Sequence, residues 1–194
     1  MTVRVVLLLL GLGPLCAMHG QELSCSIAAR CSLPLNDPPQ RSYHLDLGYA
    51  DTTWFIDWLR IDYAAAYLFK TIDVFTVDEQ TRSGGFACGW YLFQGHRIEM
   101  RTGLQLRYAR IRRWVGLGFS NYNAGAYVAQ CVGSEVPVQI ALRLGRSSPF
   151  HFFVEAVPGY SHVLSQRSFD RPDHTMRVRS TLNMAFLAGF RLRI

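Results

Sequence analysis

The chain alternates between apolar and polar side chains, and this alternation limits its possible folds more than any other feature. Between residues 176 and 194 the even positions are mainly apolar, whereas the odd positions include Arg177, Arg179, Arg191 and Arg193. A helix would scatter these residues around its axis, but an extended strand places them on two opposite faces. The segment therefore predicts a long strand with one apolar face and one charged face.

The same alternation recurs along the chain and predicts eight strands. The predicted strands are 43–50, 59–68, 72–78, 84–93, 97–112, 126–144, 150–164 and 176–194. The pattern is weakest at 72–78, and without that segment the count falls to seven. Short and longer connections alternate between the strands, as in an up-and-down barrel. We therefore predict an all-β fold, an eight-stranded antiparallel up-and-down barrel that comprises residues 43–194.

Residues 1–20 have the organisation of a signal peptide. Arg4 supplies a positive charge, residues 5–12 form a short apolar core, and Gly20 precedes a cleavage point. The apolar core is much shorter than the ~20 residues of a membrane-spanning helix, so a cleaved signal is favoured over an N-terminal membrane anchor. We predict that the mature protein is exported.

The sequence predicts that residues 21–42 form a Pro-rich N-terminal leader that precedes the barrel. Because an exported protein meets an oxidising compartment, Cys25 and Cys31 in this leader are predicted to form a disulfide. The remaining sequence has neither the Cys and His spacing of a zinc site nor a glycine-rich phosphate motif. We therefore predict no metal site and no cofactor.

The positive charge of the chain is spread rather than clustered. The net charge is +6, from 20 Lys and Arg residues against 14 Asp and Glu residues, and Lys70 is the single lysine. Proteins that bind nucleic acid usually carry cations in runs or patches, whereas these arginines stand singly along the chain. We therefore expect no nucleic-acid partner.

Alternation alone fits two kinds of barrel. A soluble secreted barrel would turn its apolar faces inward to bind a small apolar ligand, whereas an outer-membrane barrel turns them toward lipid. Strands much longer than the ~5–6 residues usual in soluble sheets favour the membrane. So do aromatic residues expected near one rim, where a Trp and Tyr girdle would lie. These aromatic residues are Trp54, Trp58, Trp114, Tyr122, Tyr127 and Tyr160.

In the outer-membrane interpretation the charged faces point into the barrel. A barrel of eight strands is just wide enough for its side chains to fill, so we expect a packed interior with an ion-pair network and no open pore. The residues predicted to point inward are Asp46, Arg60, Asp62, Arg97, Glu99, Arg101, Arg107, Glu135, Arg143, Glu155, Arg177, Arg179, Arg191 and Arg193.

The C-terminal residues resemble the assembly signal of bacterial outer-membrane barrels. That signal has a glycine, two variable residues, and then an apolar, a variable and an apolar residue at the terminus. Gly189, Leu192 and Ile194 occupy the three defined places. The resemblance implies that the barrel-assembly machinery is a partner.

The second half of the chain resembles the PorT-like outer-membrane β-barrel family of Bacteroidetes. The matching segments are residues 85–92 (GFACGWYL), 100–106 (MRTGLQL), 134–142 (SEVPVQIAL) and 152–160 (FFVEAVPGY), and the resemblance extends over roughly 84–194. It implies a small barrel of the OmpA/OmpX type in the cell outer membrane, in contact with outer-membrane lipid and lipopolysaccharide. For a packed outer-membrane barrel we expect a structural role, an adhesive role through the loops, or a partner role in an envelope complex.

One segment gives a weak enzyme signal. Lipid A acyl hydrolases among outer-membrane barrels use Ser and His near a strand end, and Ser161, His162 and Ser165 lie close together in sequence, with Glu155 upstream. In a strand, Glu155 and His162 would lie on opposite faces, about 23 Å apart, and no GxSxG motif occurs. We therefore predict that the protein is not an enzyme, with a lipid A acyl hydrolase as the alternative.

Overall fold

The protein is an antiparallel β-structure in which the chain returns to its own first strand. The computed structural model describes residues 22–34, 40–70, 75–117, 123–145, 148–169 and 178–194. The predicted signal peptide, residues 1–20, lies outside these ranges. The strands are β1 (Glu22–Pro34), β2 (Gln40–Ala50), β3 (Trp54–Lys70), β4 (Phe75–Gln94), β5 (Ile98–Leu117), β6 (Asn123–Glu135), β7 (Val138–Arg143), β8 (Phe150–Phe169) and β9 (Thr181–Arg193).

These nine strands fill eight positions of a closed ring. Apart from β6 and β7, strands that follow each other in sequence pair with each other, and β1 pairs with β9 to close the sheet. Both β6 and β7 pair with β5 on one side and β8 on the other, so together they occupy one position. They are separated at Val136 and Pro137, where proline has no N–H to give to the ladder. The prediction of an eight-stranded antiparallel up-and-down barrel is confirmed.

The predicted leader is wrong, because residues 22–34 form the strand β1. Ile27 lies opposite Leu45 of β2 and Phe190 of β9. β1 does alternate, with Ser24, Ser26 and Arg30 inside and Ile27 outside, but its two cysteines also fit a disulfide-linked leader. The prolines that suggested a leader begin only at the end of this strand.

The predicted disulfide between Cys25 and Cys31 is also wrong. Both cysteines are free and lie six positions apart on the same extended strand. At ~3.3 Å per residue their Cα atoms are about 20 Å apart, whereas a disulfide requires about 4.4–6.8 Å. The mistake follows from the leader, because only a loop could bring the two sulfurs together.

Two predicted strands are a single strand. The described part of the first segment, residues 75–78, and the second segment, 84–93, both belong to β4, and the residues between them pair with both neighbours, as Ser83 does with Asp62 and Ala109. This merger removes one strand from the predicted set and β1 adds one. The count of eight is therefore correct although two of its members are not.

The two faces of the sheet have the polarity of a membrane barrel. On β9, Phe186 and Phe190 point outward and are 49% and 52% exposed, whereas Arg191 points inward and is 2% exposed. On β5, Leu104 is exposed and its neighbour Gln105 is fully buried. The arrangement with apolar faces inside, which the soluble ligand-binding alternative requires, is therefore excluded for these strands. Among the described residues no helix is long and apolar enough to cross a membrane.

The two ends of the barrel differ. One end carries the first and last residues of the closing strand pair, Glu22 and Ile194, and the connections 51–53, 95–97 and 144–149. We call it the turn end. The opposite end carries the longest connection, residues 170–180, and we call it the loop end.

Glycines allow β4 and β5 to approach closely. A Cβ atom on Gly103 would overlap the carbonyl oxygen of Cys88, and one on Gly89 would overlap that of Thr102. Both positions are far inside van der Waals contact, so any side chain would push the two strands apart. The same constraint acts at the β1–β9 junction, where a Cβ on Gly189 would overlap the carbonyl oxygen of Ile27.

We expect Gly103→Ala to lower the free energy of unfolding by about 1–3 kcal/mol, the usual cost of overpacking. Gly84→Ala is the matched control, because its Cβ would meet nothing closer than the carbonyl oxygen of Arg60 at 3.9 Å. Urea unfolding of both variants in lipid vesicles, followed by tryptophan fluorescence, measures the difference. Equal stability of the two variants would contradict the close approach.

Candidate functional site

The barrel interior is organised around the guanidinium group of Arg60. Its Nε donates to Asp46 Oδ1 at 2.9 Å, Nη1 donates to Gln105 Oε1 at 2.7 Å, and Nη2 donates to Glu155 Oε1 at 2.7 Å. Arg60 is 1% exposed. The three nitrogen atoms thus connect β3 to β2, β5 and β8 across the interior. Such charge-assisted bonds are about twice as strong as neutral ones.

A bulge in β3 brings a second ionic residue of that strand inside. The pairing of β3 with β4 shifts between Asp57 and Arg60, so both side chains point inward although they are three positions apart. A β-bulge re-aims side chains in this way. Asp57 accepts hydrogen bonds at 2.9 and 3.3 Å from Arg101, which also donates to Gln139 at 2.9 Å. Gln139 in turn donates to Glu155 at 2.7 Å, which joins this group to Arg60.

His44 connects Asp46, which accepts a hydrogen bond from Arg60, to the loop-end half of the network. Its Nε2 lies 2.5 Å from Asp46 Oδ1, and its Nδ1 lies 2.5 Å from Asp62 Oδ1. Because each ring nitrogen faces a carboxylate oxygen, the geometry suits the imidazolium form, which donates from both nitrogens. Asp62 also accepts a hydrogen bond at 2.9 Å from Ser83.

Two arginines complete the loop-end half. Arg30 of β1 lies 3.3 Å from Asp62 and 3.1 Å from Glu135, and Arg107 lies 3.1 Å from the same Glu135. Glu135 is fully buried, so the two guanidinium groups compensate for its lost hydration. The network therefore runs without interruption from Asp57 to Arg107 and takes side chains from β1, β2, β3, β4, β5, β6, β7 and β8.

Smaller ionic groups lie beyond this network at each end. At the turn end, Arg193 donates to Glu99 at 2.7 Å, and Arg143 and His151 approach the same carboxylate at 3.6 and 3.5 Å. At the loop end, Arg113 lies 2.6 Å from Glu79, which also accepts from Gln40.

Arg191 differs from the other interior arginines. Its Nη1 and Nη2 are buried and have no hydrogen-bond partner among the described residues. The guanidinium carbon lies 5.3 Å from the ring centroid of Phe153. A cation–π contact offsets part of the lost hydration of a buried cation, but less than an ion pair does.

The structure distributes the predicted inward residues as follows. The network around Arg60 contains Asp46, Arg60, Asp62, Arg101, Arg107, Glu135 and Glu155, of which Arg107 is slightly more exposed than the others. The turn-end group contains Glu99, Arg143 and Arg193. Two predictions are wrong: Arg97 lies in the β4–β5 turn and Arg179 precedes β9, so neither follows strand alternation and both are exposed. Arg177 lies outside the described residues.

Several interior residues were missed by sequence reasoning. Arg30 falls in the predicted leader, although it shares even numbering with Ser24 and Ser26 on the inward face. Asp57 is hidden because the bulge breaks the alternation of β3. His44 and Gln139 are inward by simple alternation, and their parity with Asp46 and Glu135 was the available signal.

Most of the aromatic residues predicted for the girdle are not where the outward tyrosines lie. Tyr43, Tyr63, Tyr108 and Tyr160 point outward on four strands. The predicted girdle contained only Tyr160 of these. Trp54 and Trp58 lie near the turn end, Trp114 lies near the loop end, Tyr127 points inward, and Tyr122 lies outside the described residues.

The residues of the enzyme alternative are not brought together. Glu155 is buried in the interior network, whereas His162 is exposed, with its Nδ1 3.3 Å from the Ser180 hydroxyl. The C-terminal residues Gly189 and Ile194 lie at the junction with β1, where Ile194 and Leu23 exchange backbone hydrogen bonds of 2.8 and 2.9 Å.

The paired and unpaired arginines give opposite expectations. We expect Arg60→Met to lower the free energy of unfolding by about 3–5 kcal/mol, because it leaves Glu155 buried without its cation and takes from Asp46 one of its two positively charged partners. Arg191→Met, the same chemical change, removes a cation that has no hydrogen-bond partner among the described residues and should leave stability unchanged or raise it. Urea unfolding in vesicles of neutral lipid measures both. Equal destabilisation by the two substitutions would contradict this description of the interior.

Comparison with known proteins shows the class of fold. The chain matches no protein-family model and no curated protein sequence. It is similar in structure to a major outer membrane protein from Thermus thermophilus, with a TM-score of 0.63 and 11% identity over 91% of this chain and 100% of that chain. Neisserial surface protein A has a TM-score of 0.56 and 14% identity over 90% of this chain and 97% of that chain. Ail of Yersinia pestis has a TM-score of 0.51 and 10% identity over 91% of this chain and 100% of that chain.

The chain therefore has the fold of small outer-membrane β-barrel proteins. At identities of 10–14% these likenesses concern the fold alone. The resemblance to the PorT-like family of Bacteroidetes remains a prediction from sequence motifs.

Proposed function

We propose that this protein is a small barrel of the cell outer membrane that has a structural or adhesive role, or serves as a partner in an envelope complex. The observation that carries the proposal is the inverted polarity of the sheet. Arg60 and Glu155 are buried inside, while Phe186, Phe190 and Leu104 are exposed outside. In water such an exterior would aggregate, but in a bilayer it is the stable arrangement.

The length of the apolar exterior supports the same proposal. On β5 the outward residues are apolar or weakly polar from Ile98 to Tyr108, and the next outward residue is Arg110. A tilted strand needs about 9–11 residues to cross the hydrocarbon layer. The outward Tyr43, Tyr63 and Tyr108 then lie where the aromatic belt of a membrane barrel is found.

We also propose that the barrel has no open pore. Arg60 reaches carboxylate groups on β2 and β8 from β3, and Arg30 reaches Glu135 from β1, so the side chains cross the interior at two levels. An eight-stranded barrel is narrow enough for its side chains to fill. Side chains joined at these distances across the interior leave no straight path through the barrel for a hydrated ion.

The remaining features of the proposal come from the sequence. Export by the signal peptide at 1–20 and insertion by the barrel-assembly machinery, which would recognise Gly189, Leu192 and Ile194, bring the chain to the outer membrane. Lipid and lipopolysaccharide are its surroundings there. Membership of the PorT-like family agrees with this location. The separation of Glu155 from His162 supports a function other than catalysis.

The location predicts two measurable properties. The mature protein should be recovered with outer membranes, and it should migrate faster on SDS gels when unboiled than when boiled, because a closed barrel offers SDS no free strand edge. Immunoblots of fractionated cells, with and without heating, measure both. Recovery as a soluble periplasmic protein with identical mobility in the two samples would contradict the proposal.

The packed interior predicts the absence of channel activity. Purified, heat-modifiable protein added to planar lipid bilayers should produce no stepwise conductance, because the ion pairs of Arg60 and Arg30 block the interior. The double variant Arg60→Ala with Glu155→Ala removes one crossing group and tests whether conductance then appears. Stable single-channel steps from the unmodified protein would contradict a pore-free barrel.

A further inference from the structure

Three arginines lie next to each other on the outer surface of β4 and β5. Arg82 and Arg110 are direct cross-strand partners, and Arg112 lies two positions beyond Arg110 on the same face. All three are exposed. Directly opposed residues of an antiparallel pair have their Cβ atoms about 4.5–5.5 Å apart, so the charges of Arg82 and Arg110 act on each other at short range. We call these three residues the outer arginine cluster.

The cluster is not neutralised by the described part of the protein. None of its members forms an ion pair with a described acidic residue, in contrast to Arg60 and Arg101 in the interior. Asp78, the acidic residue nearest along the outer face of β4, lies opposite Trp114. Arg82 instead lies 5.8 Å from the ring centroid of Tyr63. Like charges placed directly opposite each other destabilise a sheet.

The position of the cluster matches the boundary of the apolar band. On β5, Arg110 and Arg112 follow directly after the outward Tyr108, at the side of the loop end. On β4, the outward Phe86 lies on the turn-end side of Arg82. In outer-membrane barrels the short turns face the periplasm and the longer connections face outward. The cluster therefore lies at the headgroup level of the outer leaflet.

We infer that Arg82, Arg110 and Arg112 bind the phosphate groups of the glycolipid that surrounds the barrel in the outer leaflet, the lipid A moiety of lipopolysaccharide. The three guanidinium groups and Gln80 line a narrow cleft on this surface. A guanidinium group can donate two parallel hydrogen bonds to two oxygens of one phosphate. A phosphate bound between Arg82 and Arg110 removes the repulsion between their charges. The inference rests on the proposed outer-membrane location.

The test compares lipids that differ only in phosphate. The full-length mature protein, refolded in neutral detergent micelles, is titrated with diphosphoryl lipid A and with chemically dephosphorylated lipid A, and bound lipid is counted by native mass spectrometry. We expect the phosphorylated lipid to be retained and the dephosphorylated one to be lost. The triple variant Arg82→Gln, Arg110→Gln, Arg112→Gln should bind the phosphorylated lipid about tenfold or more weakly.

Arg97→Gln is the matched control, because Arg97 is also exposed but lies in a turn at the opposite end of the barrel. It should bind phosphorylated lipid A as the unmodified protein does. If the triple variant fails to fold, the single variants Arg82→Gln and Arg110→Gln are compared with Arg97→Gln in the same assay. Free inorganic phosphate, added at the lipid concentration, should not displace the lipid, because it has no acyl chains to hold it at the apolar band.

Two outcomes would overturn the inference. Equal retention of phosphorylated and dephosphorylated lipid would mean that acyl-chain contacts alone hold it, and equal binding by the cluster variants and Arg97→Gln would mean that the phosphate lies elsewhere. Neither outcome affects the proposed location, since heat-modifiable migration of the same samples tests the membrane barrel separately. Loss of heat modification in the unmodified protein would instead contradict the proposed function.

Discussion

Burial of charge inside the barrel is the constraint on which the rest of the structure depends. A guanidinium or carboxylate group removed from water costs several kcal/mol unless it is paired, and Arg60 meets this requirement through side chains on β2, β5 and β8. A shift of one residue in any strand would turn its inward side chains outward. The interior ion pairs and the apolar exterior therefore require the same register. A shift in strand register is unfavourable for both, because it would break the ion pairs and bring charged side chains to the exterior.

How much of the fold can be predicted from the sequence depends on how strongly the two faces of a strand differ. β5 and β9 alternate between arginines and large apolar residues, so alternation predicts their faces correctly. β1 alternates as well, with Ser24, Ser26 and Arg30 inside and Ile27 outside, but its cysteines and the prolines that follow equally fit a disulfide-linked leader. In β4 the polar residues 79–83 resemble a connection between two strands, although they pair with both neighbouring strands. A polar stretch inside a long strand has no signature that separates it from a loop in a single sequence.

The composition of the site was partly predictable, but its pairing was not. Alternation indicates that Glu135 and Arg107 point inward, yet the partner of Glu135 is also Arg30, 105 residues away in sequence. Such contacts depend on the stagger of the closed sheet, which period-two patterns do not contain. The bulge that turns Asp57 inward is a local departure from the period, so strict alternation assigns this residue to the wrong face.

The junction of β1 with β9 has a consequence for how the protein folds. Leu23 and Ile194 exchange backbone hydrogen bonds, so the last pairing of the sheet joins residues from opposite ends of the described chain. This contact has the largest sequence separation in the fold, and contacts of that kind form slowly because the loop-closure entropy must be overcome first. Until it forms, β1 and β9 are both open edges that can pair with another chain. Closure of this junction is therefore the step that removes the last open strand edges from the sheet.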